Sequence, residues 1–332
     1  MMRDNNTRKL QRKNRPNRSE RRKGSRSRHR RGPGKREVKN IFKLGLSLAG
    51  FDLKRQKCRK KKSMRRFRAH YGVGPEAIAA LFSDLTHVQS EKDHDLTSLL
   101  FAIMWLKLYD TEEVMAGRWG FGEEYCRNKV KEYLKRIQKL KASKISFDGL
   151  DHSCTFLPVD TMHIRCQEFR CSPSSKWFSH KFNGPGVSFE MVVDPLEGKI
   201  RWINGPEPAS IHDLTFLRGG KKGQKKKWKR SSLYFALPSF ARLVGDSAYE
   251  GQPDKVSTTK DAHKPATKEL FARLKSMQET CFKRFKDFNV VSGTFRHGKG
   301  TDDKLAKIKL SVECVAILLQ YEFENGSRLF EL

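Results

Sequence analysis

The stretch "ARLVGDSAYEG", residues 241–251, decides the fold class of this chain. Its apolar run has the length and composition of a short buried strand, and the run gives way to Gly245 and the carboxylate of Asp246. An earlier segment, "LPVD" at residues 157–160, has the same pattern and ends on Asp160. If the two strands lie side by side, their acids meet at one edge of a sheet, where α/β folds place their sites.

The elements predicted around these strands are typical of an α/β fold. Residues 186–208 predict two strands joined by a tight turn at 194–198, followed by a short helix with Ser210 as its N-cap. A long helical pattern covers residues 266–288. We therefore predict a mixed sheet with flanking helices over residues 149–332.

A group of carboxylates at one sheet edge predicts a metal site. Glu279, within the long helical pattern, adds a third acid to Asp160 and Asp246. Carboxylates pressed together repel one another unless a cation neutralises them. Mg²⁺ takes oxygen ligands, and Mn²⁺ is expected to substitute for it. Two such ions, about 3.5–4 Å apart, would suit an in-line phosphoryl displacement.

Charge divides the chain unevenly. The formal net charge is +32, and residues 1–66 hold 27 Lys and Arg against 4 Asp and Glu. This segment has few apolar residues, so we predict a disordered basic tail. Such a charge predicts a nucleic-acid partner. A membrane surface is the competing partner, but the sequence contains no apolar run of about 18 residues. Seven cysteines without a CxxC pair indicate neither a disulfide framework nor a zinc knuckle.

Residues 67–148 have the spacing of amphipathic helices. Within them, residues 110–140 read as a short helix, a Gly-containing turn and a basic helix, the elements of a helix-turn-helix, although many helical hairpins never touch DNA. A lysine-rich run at 221–230 would suit a DNA-backbone clamp or be only a solvated insertion. The candidate DNA-binding side chains are Arg118, Arg127, Lys129, Lys225, Lys226 and Lys227.

Four motifs in order carry a family resemblance: "VDTMHI" (159–164), "ASIHDLTFLR" (209–218), "GDSAYEG" (245–251) and "ETCFKRFK" (279–286). Together they resemble the DDE endonuclease domain of Harbinger-type transposases. The resemblance implies an RNase H-like fold, with the first Asp on the leading strand, the second on the fourth strand and the Glu on a following helix.

The resemblance also implies roles for individual residues. The family triad falls on Asp160, Asp246 and Glu279, and Glu279 is preferred to Glu269 because Phe282 follows it at the family's spacing. Further matching positions are accessory, structural or DNA-contacting: His163, His212, Asp213 and Arg284. The chain departs from the family at Thr161 and Met162, which stand where the family has Gly and Thr. The site is therefore expected to be less open to phosphate.

The predicted function is that of a nuclear, transposase-like, metal-dependent DNA endonuclease. It would hydrolyse phosphodiesters at transposon ends and join the 3′-OH ends to target DNA. The implied partners are DNA, further copies of the chain in a homo-oligomer, and a Myb-like helper protein. Two alternatives stay open: a domesticated, catalytically inactive DNA-binding protein, and a basic RNA- or ribosome-associated protein.

Overall fold

The computed structural model describes residues 33–51, 59–88, 95–153, 155–169 and 174–330. The part of the predicted basic tail at residues 1–32 lies outside them. Among the described residues, none of the helices has the length and hydropathy needed to cross a membrane.

Helices fill the N-terminal part of the described chain. Thr111 accepts a hydrogen bond from the Val114 amide and caps one helix, and the Asp95 carboxylate caps another by accepting from the Thr97 and Ser98 amides at 2.9 and 3.0 Å. Each cap satisfies backbone amides that the first turn of its helix leaves without a partner. The helices are α1 (Lys35–Leu48), α2 (Lys60–Tyr71), α3 (Pro75–Val88), α4 (Leu96–Leu108), α5 (Glu112–Trp119), α6 (Glu123–Gln138) and α7 (Lys141–Lys144).

The helices α1 and α2 correct the prediction of a disordered tail for residues 35–48 and 60–66, whereas residues 1–32 and 52–58 of that tail lie outside the described residues. Ile41 of α1 is fully buried, and Gly45 lets α2 approach so closely that a Cβ there would lie 2.4 Å from the Phe67 ring. The Tyr71 hydroxyl donates to the Gly45 carbonyl at 2.9 Å. A few apolar residues at helical spacing therefore order a segment whose charge alone predicted disorder.

A six-stranded mixed sheet forms the second half. Its strands are β1 (Phe156–Arg165), β2 (Phe178–Ser179), β3 (Gly184–Val193), β4 (Ile200–Pro208), β5 (Arg242–Val244) and β6 (Val256–Ser257). The antiparallel pairs are β1–β3, β2–β3 and β3–β4, and the parallel pairs are β1–β5 and β5–β6. The strand β1 is central, with β3 and β4 on one side and β5 and β6 on the other. Without the short strand β2, β5 is the fourth strand of the sheet in chain order. The predicted RNase H-like mixed sheet is confirmed.

Helices cover both faces of the sheet, as the alternation of β1 requires. Leu157 and Val159 pack in one apolar cluster with Leu214 and Leu217. Met162 and Ile164 belong to another, which includes Phe285 and most of the buried helical region. The helices of this half are α8 (Asp213–Arg218), α9 (Leu233–Ala236), α10 (Pro265–Lys286), α11 (Asn289–Ser292) and α12 (Thr301–Asn325).

The helix α12 ties the helical region to the sheet. The Gln320 side chain accepts from the Ile200 amide of β4 at 2.9 Å, and the Tyr321 hydroxyl donates to Asp84 of α3 at 2.7 Å. Residues 33–332 form one compact unit with a shared core. The predicted regions 67–148 and 149–332 are therefore not separate bodies, because α12 completes the cores of both.

One predicted cap is wrong. The N-cap of α8 is His212, whose Nδ1 accepts from the Leu214 amide at 3.3 Å. Ser210, the predicted cap, instead donates its hydroxyl hydrogen to the Lys176 carbonyl at 2.6 Å. The helix begins later than predicted because Ile211 still lies in the turn that follows β4.

Candidate active site

The parallel pairing of β1 and β5 brings the first two predicted acids level with each other. Pro158 is the register partner of Val244, and Asp160 and Asp246 each lie two residues further along. The prediction that the two acid-bearing strands are neighbours is therefore confirmed. Asp246 follows the fourth strand of the sheet, leaving β2 aside, as the resemblance implied.

Asp160 lies in the middle of β1 rather than at its end, which corrects the predicted strand boundary. The strand continues because Met162 and Ile164 are buried and keep the alternating pattern. Asp160 shares their side of the strand, where α10 packs. One of its carboxylate oxygens accepts from the Thr161 amide at 2.6 Å.

Asp246 is an exposed acid at the start of a 3-10 helix, Ser247–Tyr249. Its Oδ1 accepts from the Ala248 amide at 2.9 Å, so one oxygen caps the helix. Gly245 is required here for packing, because a Cβ at this position would lie 2.7 Å from the Tyr249 ring. The Tyr249 ring therefore packs directly against the backbone that precedes Asp246.

Asp160 and Glu279 line one cavity of about 710 Å³. Glu279 is on the exposed side of α10, whereas its rival Glu269 does not line the cavity. Three cations also line it: Arg165, Lys181 and Lys286. The Lys181 ammonium donates to the Thr161 carbonyl at 3.5 Å. A cavity lined by both acids and cations suits an anionic substrate group: the acids would hold a metal ion, and the cations would bind the group beside it.

Burial dominates the electrostatics of Asp160. It raises the pKa of this carboxyl to about 6, while the Thr161 amide and the Lys181 ammonium act in the opposite direction. The carboxylates of Asp246 and Asp213 raise the pKa of Asp160 further. These acids therefore sense one another, and a cation among them would relieve their repulsion.

Asp213 reaches the site from the other face of the sheet. The Thr161 hydroxyl donates to its Oδ1 at 2.8 Å. Burial raises the pKa of Asp213, and the Asp246 carboxylate adds to that effect. Asp213 is coupled to Asp160 through Thr161, so the departure from the family at this position has a structural use.

Two buried groups were missed by the sequence reasoning. Glu190 of β3 is fully buried, accepts from the Trp202 indole at 3.1 Å and leaves its Oε1 without a hydrogen-bond partner among the described residues. Burial raises the pKa of Glu190 to about 8. The Tyr249 hydroxyl is also buried and unpartnered, and its pKa is raised well above the usual value. The available signal was a lone acid inside the apolar run "VSFEMVV".

The two predicted accessory histidines have different roles. His163 lines the cavity and its Nδ1 is hydrogen-bonded to the Ser179 hydroxyl at 2.7 Å. Burial and the Lys181 charge lower the pKa of His163 to about 4, so it is neutral near pH 7. His212 is the cap of α8 and has a structural use.

The side chains of the described residues do not converge on a ready-made metal site. No group of three or more His, Cys, Asp or Glu in the described part of the chain is placed to hold a metal ion. The donor set nevertheless fits a hard divalent cation, because its members are carboxylate oxygens. The pKa of Asp160 is raised by burial first and then by the charges of Asp246 and Asp213, and a bound cation would offset both effects.

The predicted DNA-binding residues of the α5–α6 hairpin are engaged inside the protein. Arg118 pairs with Asp110 at 2.7 Å, Arg127 forms a two-pronged pair with Glu112, and Lys129 lies 3.1 Å from Glu132. In the lysine-rich loop, by contrast, Lys226 and Lys227 are exposed on a 3-10 helix and form no ion pair with the described residues. Lys225 lies over the Tyr234 ring, and Arg284 is half-buried on α10.

Comparisons with known proteins bear on the sheet half of the chain. The crystal structure of a pre-cleavage Mos1 transpososome aligns at 9% identity, over 87% of this chain and 98% of that chain, with a TM-score of 0.19, too low to support an argument. No curated protein matches. Residues 159–320 match the family model of a DDE superfamily endonuclease. This match begins one residue before Asp160 and includes Asp246 and Glu279, so the sheet half of the chain is similar to a DDE superfamily endonuclease domain.

Proposed function

We propose that this chain is a Harbinger-type transposase, a metal-dependent DNA endonuclease that hydrolyses phosphodiesters at transposon ends and joins the freed 3′-OH ends to target DNA. The observation that carries the proposal is the register of β1 and β5, which makes Asp160 and Asp246 level neighbours. Glu279 lies across the same cavity as Asp160. All three acids fall within the residues that match the endonuclease model.

The acids would hold divalent metal, which DDE endonuclease domains generally use, with Mg²⁺ as the expected ion and Mn²⁺ as its substitute. Asp160, Asp246 and Glu279 would supply its protein ligands. When bound, the metal would lower the pKa of an attacking water and stabilise the leaving 3′ oxygen. Asp213 would hold the Thr161 hydroxyl and so keep β1 in position beside Asp160.

The cations at the cavity would bind the scissile phosphate. Lys181 lines the cavity with Asp160 and Glu279, and its charge acts on Asp160, while Arg165 lies over the Phe182 ring at 5.1 Å. A phosphodiester carries one negative charge, so an ammonium that lines the same cavity as the acids would attract and orient it. His163, neutral near pH 7, would add a hydrogen-bonding ring without adding charge.

Several further features belong to the same proposal. Two transposon ends must be paired for joining, so the active form would be a homo-oligomer on DNA. The basic residues of the tail and the lysine-rich loop would bind the DNA backbone. The chain would act in the nucleus and work with a Myb-like helper protein, as the family resemblance implies.

A domesticated protein that binds DNA without cutting it is the second candidate. One observation favours it: the described acids form no closed group of three, because Glu279 is exposed on α10. Thr161 and Met162, which replace the family's Gly and Thr, add side chains beside the first acid.

Cleavage of supercoiled plasmid carrying candidate terminal repeats tests the proposal. The full chain is incubated with Mg²⁺ or Mn²⁺, or with chelator, and compared with Asp246→Asn. Metal-dependent breaks that vanish in the variant would support the enzyme. A folded wild type that binds the DNA and leaves it intact, with and without an added helper protein, would favour the domesticated candidate.

A further inference from the structure

A cavity of about 510 Å³ lies between α6 and α12, outside the residues that line the candidate active site. We define the α6–α12 groove by Val130, Lys131, Leu134 and Lys135 of α6 and by Ala306 and Lys309 of α12. Its residues on α6 extend from 127 to 138, which is about three helical turns or roughly 16 Å. The groove is therefore elongated and fits an extended or helical peptide segment better than a compact small molecule.

The floor of the groove is aliphatic. Val130 and Leu134 form it on α6, and Leu310 forms it on α12. The rings of Trp105 and Phe295 also line the groove and are covered, at 7% and 1% exposure, as are Val130 at 5% and Leu134 at 3%. Its accessible apolar side chains are therefore the exposed Ala306 and the half-buried Leu310. A nucleobase would find little ring face to stack on, whereas aliphatic side chains of a protein segment would meet Ala306 and Leu310.

The rim is cationic, and part of its charge is unpaired. Arg127 and Lys307 are paired with Glu112 and Asp303 at the groove. The described residues offer no hydrogen bond or ion pair to Lys131, Lys135 or Lys309. The rim therefore keeps three positive charges for a ligand that carries acids.

A buried polar atom also lacks a partner at this groove. His297 lines it, and the Nε2 of His297 is buried without a hydrogen bond to any described residue. Burial lowers the pKa of His297, so the ring is neutral near pH 7. A neutral imidazole nitrogen can bond a polar side chain or a backbone group of an occupant.

We propose that the α6–α12 groove is a docking site for an acidic amphipathic helix of a partner protein. Apolar side chains of that helix, spaced by three and four residues, would pack against Ala306 and Leu310. Its acids would pair with Lys131, Lys135 and Lys309. This is the helix-in-groove mode, selected by charge complementarity over a nucleic acid, which the aliphatic floor disfavours. It does not depend on nuclease activity.

Selection from a random library of 16-residue peptides tests the proposal, with the full-length protein as bait at about 0.15 M salt to screen long-range attraction. We expect enrichment of sequences that combine Asp or Glu with apolar residues at helical spacing. Their affinity should fall by about tenfold or more in the triple variant Lys131→Glu, Lys135→Glu, Lys309→Glu, because each reversal sets like charges opposite one another.

Two further variants make the test specific. Ala306→Trp fills the groove from an exposed position and should weaken the same peptides to a similar degree. The matched control reverses three exposed lysines elsewhere, Lys39→Glu, Lys264→Glu and Lys268→Glu, and should leave binding within twofold of wild type. Circular dichroism and melting temperature check that every variant is folded.

Three outcomes would overturn the proposal. The first is a selection that enriches no acidic and apolar pattern. The second is peptide binding that the control triple weakens as much as the groove triple, which would indicate general charge attraction. The third is a 20-nucleotide single strand that displaces the peptides and loses its own binding in Ala306→Trp, which would make the groove a nucleic-acid site.

Discussion

The sheet site and the α5–α6 hairpin use charge in opposite ways. In the sheet, Asp160 and Asp246 form no ion pair with the described residues, and burial and mutual repulsion raise the pKa of Asp160. In the hairpin, Arg118 and Arg127 are each held by an acid of the same region. One region leaves its charges for something outside the protein, and the other neutralises them internally.

The difference bears on which charged residues reach DNA. An ion pair must be broken before its cation can contact a phosphate, so a paired arginine is a weaker DNA ligand than a free lysine. The hairpin has the shape of a helix-turn-helix, but the exposed apolar side chains Val114, Phe121 and Tyr125 lie on it, at 48%, 45% and 44% exposure. DNA binding by this hairpin stays a prediction.

The largest effect is expected at the first acid. Asp160→Asn should reduce metal-dependent cleavage by about 10²–10³-fold or more, because it removes a charged ligand where transition-state charge is stabilised. Plasmid nicking rates measure it. Asp302→Asn, on the exposed start of α12, is the control and should cut normally. Equal activity of Asp160→Asn and wild type would mean that the acids of the sheet site are not needed for cleavage.

A variant of Lys181 tests whether the cations of the sheet site bind phosphate. Lys181→Met should lower cleavage at subsaturating DNA by about tenfold, because one charged contact to phosphate is lost. Lys181→Arg should restore most of the activity, and the exposed Lys268→Met should have no effect. Steady-state kinetics on a short duplex separate KM from kcat. A fully active Lys181→Met would mean that the cavity does not orient phosphate through this residue.

A matched pair of double variants compares free with paired cations. Lys226→Gln with Lys227→Gln should weaken duplex binding several-fold and lower the salt dependence by about one unit of slope per lysine. Arg127→Gln with Lys129→Gln removes the same charge from the hairpin and should change affinity less. Fluorescence anisotropy over a salt series measures both. A larger loss from the hairpin variant would reverse the comparison and restore the helix-turn-helix as the main DNA contact.

Glu190 gives the smallest effect, on stability. Burial raises the pKa of Glu190 from its usual 4.5 to about 8, so the folded state binds a proton that the unfolded chain releases. Its contribution is fully present below about pH 4.5 and is lost as the pH rises towards 8. Glu190→Gln should therefore flatten the fall in melting temperature between pH 5 and 8 and leave the variant more stable than wild type at pH 8. The exposed Glu269→Gln is the control; a wild-type slope in Glu190→Gln would contradict the account.

The sequence predicted the sheet well because its signals are local. An apolar run that meets an acid, repeated at 157–160 and 242–246, was enough to make β1 and β5 neighbours, and the turn residues at 194–198 were enough for the β3–β4 hairpin. The end of β1 was missed because Met162 and Ile164 continue the alternation past Asp160.

The tail, the ion pairs and the buried acid depend on tertiary contacts. Ile41 is buried because α1 packs against α3 and α2, and net charge does not report that packing. Arg127 meets Glu112 across fifteen residues, where no helical spacing predicts a pair. Glu190 looks like one acid in a strand until Trp202 and the burial around it are known.

The central claim is that Asp160, Asp246 and Glu279 act on one divalent metal centre. Anomalous diffraction from crystals grown with Mn²⁺ and a terminal-repeat duplex tests it most directly. The account predicts at least one manganese peak within coordination distance of both Asp160 and Asp246, with Glu279 turned into the cavity. Manganese bound to the duplex and elsewhere, with no peak between those two carboxylates, would contradict it.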